Sequence, residues 1–138
     1  MGAPGAGKTF YINANKFGDE YIASTEPLRK QQITERANYI LWVRKRALLS
    51  LENNRSVIVD AVNVNAVDRE YWLNAAKATG ARTHLVVINT SLAKCLNSQL
   101  TRIYAVPNMV IRKYYTKFTY ALTQISNEPW DIITFFER

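Results

Sequence analysis

Glycine, lysine and a hydroxyl residue stand together at the start of the chain, in Gly2-Ala-Pro-Gly-Ala-Gly-Lys8-Thr9. The spacing fits G-x-x-x-x-G-K-[ST], and the chemistry of a phosphate cradle explains its letters. Backbone N–H groups must turn inward around the anion, so glycine is needed where a Cβ would collide or φ must be positive. Gly7 falls where the loop becomes a helix, whose first N–H groups and dipole also favour negative charge. Lys8 is expected to reach the β- and γ-phosphates, and the Thr9 hydroxyl to ligate Mg²⁺. The candidates for holding nucleotide are therefore Gly2, Pro4, Gly5, Ala6, Gly7, Lys8 and Thr9. The implied ligand is ATP or another NTP. A glycine-rich surface turn ahead of an ordinary helix is the plainer alternative.

Such a loop needs a carboxylate opposite it to organise Mg²⁺ and its waters. "Val57-Ile-Val-Asp60" supplies one, an apolar strand ending in an acid. Ligands of open α/β sheets bind at that end of a strand. Asp60 and Thr9 are thus the candidate metal residues. Asp60 as a turn residue or helix cap is the competing reading.

These residues must be carried by alternating strands and helices. "Tyr21-Ile-Ala", "Ser56-Val-Ile-Val-Asp60", "His84-Leu-Val-Val-Ile88" and "Asp131-Ile-Ile-Thr-Phe-Phe136" are short, apolar and mostly β-branched, as buried parallel strands are. One helix is expected to start at Gly7. A long one is expected from about Pro27 to Leu51, with Ile33, Ala37, Ile40, Leu41, Leu48 and Leu51 on its apolar face. Another spans about Val67 to Thr79, with Gly80 as its C-cap. Ser91 is expected to cap a fourth. A fifth carries Ile111, Tyr114, Phe118, Ala121, Leu122 and Ile125 at helical spacing, which reads as core rather than as a base-stacking platform. The order predicts one α/β domain over residues 1–138, a three-layer P-loop kinase-like fold around a parallel sheet. It lacks only the strand that ordinarily delivers the loop. A gap there would leave backbone groups unpaired, so the natural chain is expected to begin several apolar residues upstream; a truncated, poorly stable remnant is the alternative.

The chain has 138 residues, enough for one core. No apolar run is long enough to span a bilayer, and no signal peptide precedes the loop. A single cysteine, Cys95, excludes an internal disulfide and fits a reducing compartment, so cytoplasm is the expected location. No Cys/His spacing suggests a zinc site. The formal charge is +7 and the pI about 9.7. That suits a polyanionic partner, and equally a basic protein that binds nucleotide phosphates. Arg44-Lys45-Arg46, with Lys30 and Arg36, and the Arg112, Lys113 and Lys117 face, are either solvated helix faces or a track for a nucleic-acid strand. His84 reads as structural.

"VIVDAVNVNAVDREYWLNAAKATGARTHLVVINT" resembles the region after the P-loop in P-loop polynucleotide kinases, small domains, many from phages, that phosphorylate 5′-hydroxyl ends. Their Asp-(x)-Thr-Asn-x-Asn element corresponds to Asp60-Ala-Val-Asn63-Val-Asn65, with Val62 in place of the usual Thr. The likeness continues through "Ala105-Val-Pro107-Asn-Met-Val-Ile111" and "Glu128-Pro-Trp-Asp131-Ile-Ile". It implies a reacting carboxylate followed by arginine, matched by Glu26 and Arg29 in "Ser24-Thr-Glu26-Pro27-Leu-Arg29"; the family's usual Asp is Glu here. A ribose hydroxyl is a poor nucleophile, so a carboxylate that orients it and accepts its proton assists attack on the γ-phosphate. A first-turn Glu paired with Arg29 is the other reading of Glu26. The resemblance also implies a lid, about 94–107, with two arginines one helical turn apart gripping the transferring phosphoryl group. Arg102 fills the second position and Ser98 stands at the first, with Lys94 a turn earlier as a substitute charge. Three functions follow as expectations: a kinase of polynucleotide 5′ ends using ATP and Mg²⁺, a kinase of small hydroxyl acceptors, and a nucleotide-binding protein without transfer.

Overall fold

The computed structural model describes residues 1–25 and 35–138. Glu26, Arg29 and Lys30, with the expected start of the long helix, lie outside the described residues. The elements follow the expected order: α1 (Lys8–Asn15), β1 (Tyr21–Ser24), α2 (Arg36–Glu52), β2 (Val57–Asp60), α3 (Ala66–Thr79), β3 (His84–Asn89), α4 (Leu92–Asn97), α5 (Asn108–Gln124), a 3₁₀ turn (Ile125–Asn127) and β4 (Ile132–Glu137). The chain divides into two compact units, Met1–Lys8 with Val62–Arg138, and Thr9–Ala61.

The expected single sheet is corrected. Among the described residues the strands form two separate parallel pairs, β1 with β2 and β3 with β4. The reason is local. On the edge of β3 away from β4, Met1 alone is laid in ladder fashion, donating from its amino group to Val86 O at 2.7 Å and accepting from Ile88 N–H at 2.9 Å. Gly2 then donates to Val62 O at 3.1 Å and the chain turns into the loop. Two residues continue the pairing without making a strand.

In the larger unit Met1, Val64, Leu85, Val87, Phe118, Ala121 and Ile125 form one core, with Tyr114, Leu122, Trp130 and Ile133 packed on it. The predicted face of α5 is the face that is buried. Gly80 ends α3 in the left-handed conformation with φ of 71°, and Ser91 accepts from Lys94 N–H at the start of α4. His84 bonds Thr134 Oγ1 at 2.8 Å across the β3–β4 pair, a structural role.

Arg69, on α3, is wholly buried and would be costly without partners. Its Nε and Nη2 donate to Glu128, Nη2 also to Gln124 Oε1, and Nη1 to Asn63 O and Val64 O. Burial pushes the Glu128 carboxyl up, but the bonds from Arg69 and Trp130, with the Arg69 charge, outweigh it and hold the group below its ordinary value.

In the smaller unit, β1 and β2 run in register from Tyr21↔Val57 to Ser24↔Asp60, with α2 against both. The expected apolar face of α2 is shifted. Val43 and Ala47 are buried, while Leu41 is 62% exposed and Ala37 is exposed. Positions 40, 43, 47 and 51 satisfy the helical period, so the expected Ile40 and Leu51 remain half-buried on the packed face and Val43 and Ala47 complete it. Counting leucines overstated their role here.

Candidate phosphate loop and its carboxylate partner

The loop has the backbone its glycines were expected to provide. Gly5 and Gly7 have φ of 83° and 100°. Gly2 serves a different need, close approach: a Cβ there would lie 3.1 Å from Ile88 O. Ala3 and Ala6 are almost fully buried and Pro4 is buried with them. Lys8 folds over its own loop, Nζ donating to Gly2 O at 3.0 Å and Ala3 O at 2.9 Å. An ammonium has three donors and no acceptor. These carbonyls hold it at the loop.

The loop is fixed from behind by residues that sequence reasoning did not assign. Thr90, buried just after β3, donates from Oγ1 to Ala6 O at 2.8 Å. The end of α4 lies against Gly5, where a Cβ would meet Ser98 Oγ and come within 2.6 Å of both Cys95 O and Gln99 Nε2. Gln99 in turn accepts from Val106 N–H at 2.9 Å, tying the Val106-Pro107 segment to the same place. Arg138 approaches from β4, Nη1 donating to Ala6 O at 3.3 Å. A hydroxyl residue after a strand gives a faint hint of Thr90. No sequence signal points to Arg138.

This packing explains one departure from the polynucleotide-kinase pattern. Ser98 is half-buried, donating to Cys95 O at 2.8 Å and accepting from Gln99 Nε2 at 3.0 Å. Position 98 lies against Gly5, close enough that a Cβ on the glycine would meet the serine hydroxyl. Arg102 is exposed in the turn after α4, with its N–H bonded to Gln99 O. Lys94 is exposed within α4, which ends at Asn97. Val62 is explained similarly. It is packed against the core of the larger unit, where a threonine hydroxyl would gain an apolar neighbour.

In the smaller unit the two candidate metal residues are brought together. Thr9 Oγ1 donates to Asp60 Oδ2 at 2.9 Å, with Asp60 8% exposed at the end of β2. A hydroxyl and a carboxylate are hard oxygen donors of the kind that suits Mg²⁺, which keeps several waters and takes few protein ligands. The pair fits that ion. Among the described residues no cluster of three or more His, Cys, Asp or Glu could hold a metal. Beyond Asp60, Asn63 takes φ of 52°, a left-handed conformation that asparagine tolerates, and its carbonyl is held by Arg69. Asn65 precedes α3, its side chain donating to Asp68.

Parallel strands alternating with helices, and a glycine loop opening the first helix, are the features of a P-loop NTPase. A sequence model of the AAA domain matches residues 1–119, and the chain belongs to that family, as an AAA-type P-loop NTPase domain. A search of curated proteins found no match. Among the described residues no helix is long and apolar enough to cross a membrane.

Proposed function

We propose that the protein is a phosphotransferase that moves the terminal phosphate of ATP or another NTP to the 5′-hydroxyl of a polynucleotide. The observation that carries this reading is the Thr9–Asp60 hydrogen bond, at 2.9 Å, on a strand whose tip is in register with Ser24. The chain leaves β1 beside Asp60, two residues ahead of Glu26, the carboxylate that the polynucleotide-kinase likeness marks as reactive. Lys8 and the loop amides hold the phosphates, and Thr9 with Asp60 holds Mg²⁺, which when bound neutralises phosphate charge. Glu26 accepts the proton of the attacking hydroxyl as its oxygen bonds to the γ-phosphorus. The bond from phosphorus to the bridging oxygen breaks, and its electrons leave with ADP. Arg29 positions the acceptor and Arg102 meets the charge on the transferring group.

The nucleic-acid acceptor is supported by charge and aromatic exposure on α2. Arg36, Arg44, Lys45 and Arg46 stand there with one acid, Glu52. Trp42 is half-exposed, with Tyr39 at 5.8 Å and Arg46 at 5.1 Å from its ring. Rings and guanidinium planes of this kind stack on bases. The test is transfer of label from γ-labelled ATP to a 5′-hydroxyl oligonucleotide. Transfer that requires Lys8 and Glu26 is expected; absence of transfer, or transfer unchanged by Lys8→Ala, refutes the reading. A second reading, nucleotide binding or hydrolysis without an acceptor, is favoured by Ser98, which serves as a packing residue where the kinases carry an arginine. ATP turnover that no oligonucleotide accelerates selects it.

A further inference from the structure

Arg138 brings a second cation to the phosphate loop. Its N–H is bonded to Asn89 O at 3.0 Å, carrying the β3–β4 pairing one step beyond Glu137. Side chains alternate along an extended chain. Glu137 goes to Asn89 Nδ2, which donates to both carboxylate oxygens at 2.9 Å, and Arg138 goes to the loop.

There the guanidinium lies on Gly7. A Cβ at Gly7 would collide with Nη1 and come within 2.8 Å of Cζ and 3.1 Å of Cδ. The φ of 100° is what requires glycine here; the guanidinium ends a flexible, exposed side chain that could move aside. The contact also orients a donor. Ala6 O accepts from both Thr90 Oγ1 and Arg138 Nη1. In a trans peptide the carbonyl and the following N–H point opposite ways. Two donors fixing Ala6 O thus fix the direction of the Gly7 amide, one of the N–H groups that such loops offer to phosphate. Burial raises the Cys95 thiol above its ordinary value, and Lys8 and Arg138 both pull against that rise.

We infer that Arg138 is a nucleotide-binding residue: held on the Ala6–Gly7 peptide, it aligns the Gly7 amide and supplies positive charge, beside Lys8, to the phosphate chain. The inference rests on the reading of the loop as an NTP site and extends it to a residue outside the motif.

Calorimetric titration of the full chain with MgATP and with inorganic tripolyphosphate tests it, using wild type, Lys8→Ala, Arg138→Gln and Arg138→Lys. Loss of a charge-assisted contact is expected to weaken both ligands about 10-fold or more in Arg138→Gln. Arg138→Lys, which keeps the charge and a donor, recovers most of it. Equal affinities in Arg138→Gln and wild type overturn the inference, provided Lys8→Ala abolishes binding. Weakening of MgATP with tripolyphosphate unchanged overturns it too, by moving the contact to the base or ribose. A lowered melting temperature with no rescue by lysine reduces Arg138 to a structural residue. No binding of either ligand by wild type removes the NTP reading itself, and this inference with it.

Discussion

The two units fill their cores to different degrees, although both leave large apolar residues exposed, Leu100, Ile103, Met109 and Phe135 among those of the larger. The larger gathers Met1, Val64, Leu85, Val87, Phe118, Ala121 and Ile125 into one core. In the smaller, the buried hydrophobics among the described residues are Ala23, Val43 and Ala47, while Phe10, Phe17, Leu41, Trp42 and Leu49 stand exposed. The phosphate loop, residues 1–8, belongs to the well-filled unit and is held by Thr90, Gln99 and Arg138. The Thr9–Asp60 pair belongs to the thinly filled one. Few buried contacts mean local opening at low free energy. The comparison sets two kinds of support apart: the glycine loop rests on dense packing, and the Thr9–Asp60 pair on short strands and one side-chain bond.

The largest effect that would sharpen this contrast is Phe118→Ala, expected to cost about 3–5 kcal/mol. Denaturant melts of that variant should show the cooperative loss of the larger unit; a change under 1 kcal/mol would break the comparison. Next comes Arg69→Ala. It leaves a half-buried carboxylate and two carbonyls without their donor, for a loss of about 3 kcal/mol. The same ion pair sets a pH dependence. Glu128 is held below its ordinary value of 4.5, so its stabilising contribution is complete above about that pH and is lost as pH falls through the lower folded value. Denaturation midpoints measured between acid and neutral pH should fall on the acid side in wild type and flatten in Glu128→Gln.

Gly5→Ala ranks third. The positive φ and the crowding by Cys95 O and Gln99 Nε2 are expected to cost about 1–3 kcal/mol, and nucleotide affinity should fall with stability. The smallest effect is predicted for Leu41→Lys, at the exposed position once expected to be core. Its change should lie within about 0.5 kcal/mol. A loss as large as that of Phe118→Ala would mean that the smaller unit is as densely filled as the larger.

Much of the architecture was legible because it depends on local patterns. The four strands are apolar and β-branched, Gly80 and Ser91 mark helix ends, and Gly5 and Gly7 are glycines because their φ values require it. The split into two strand pairs was not legible, since pairing partners are set by contacts distant in sequence. The face of α2 was misjudged because Leu41 fits a helical period nearly as well as Val43 does, and propensity cannot choose between adjacent stripes. The pairing of Thr9 with Asp60 was anticipated from chemistry alone. Ser98 was read as a lid position through the kinase likeness, and proves to be the residue packed beneath Gly5. Arg138 was unreadable for another reason: 130 positions separate it from Lys8, and only the fold joins them.

Cys95 is the chain's one cysteine, fully buried beside the loop, with a thiol that burial makes less acidic. Maleimides and other thiol reagents attack the thiolate, so labelling must wait until local opening exposes Sγ, which now faces Thr90 O at 3.8 Å. The protein therefore carries a built-in reporter of opening around the end of β3 and α4. The labelling rate reads out that motion without any added probe, and a ligand seated in the cradle should slow it.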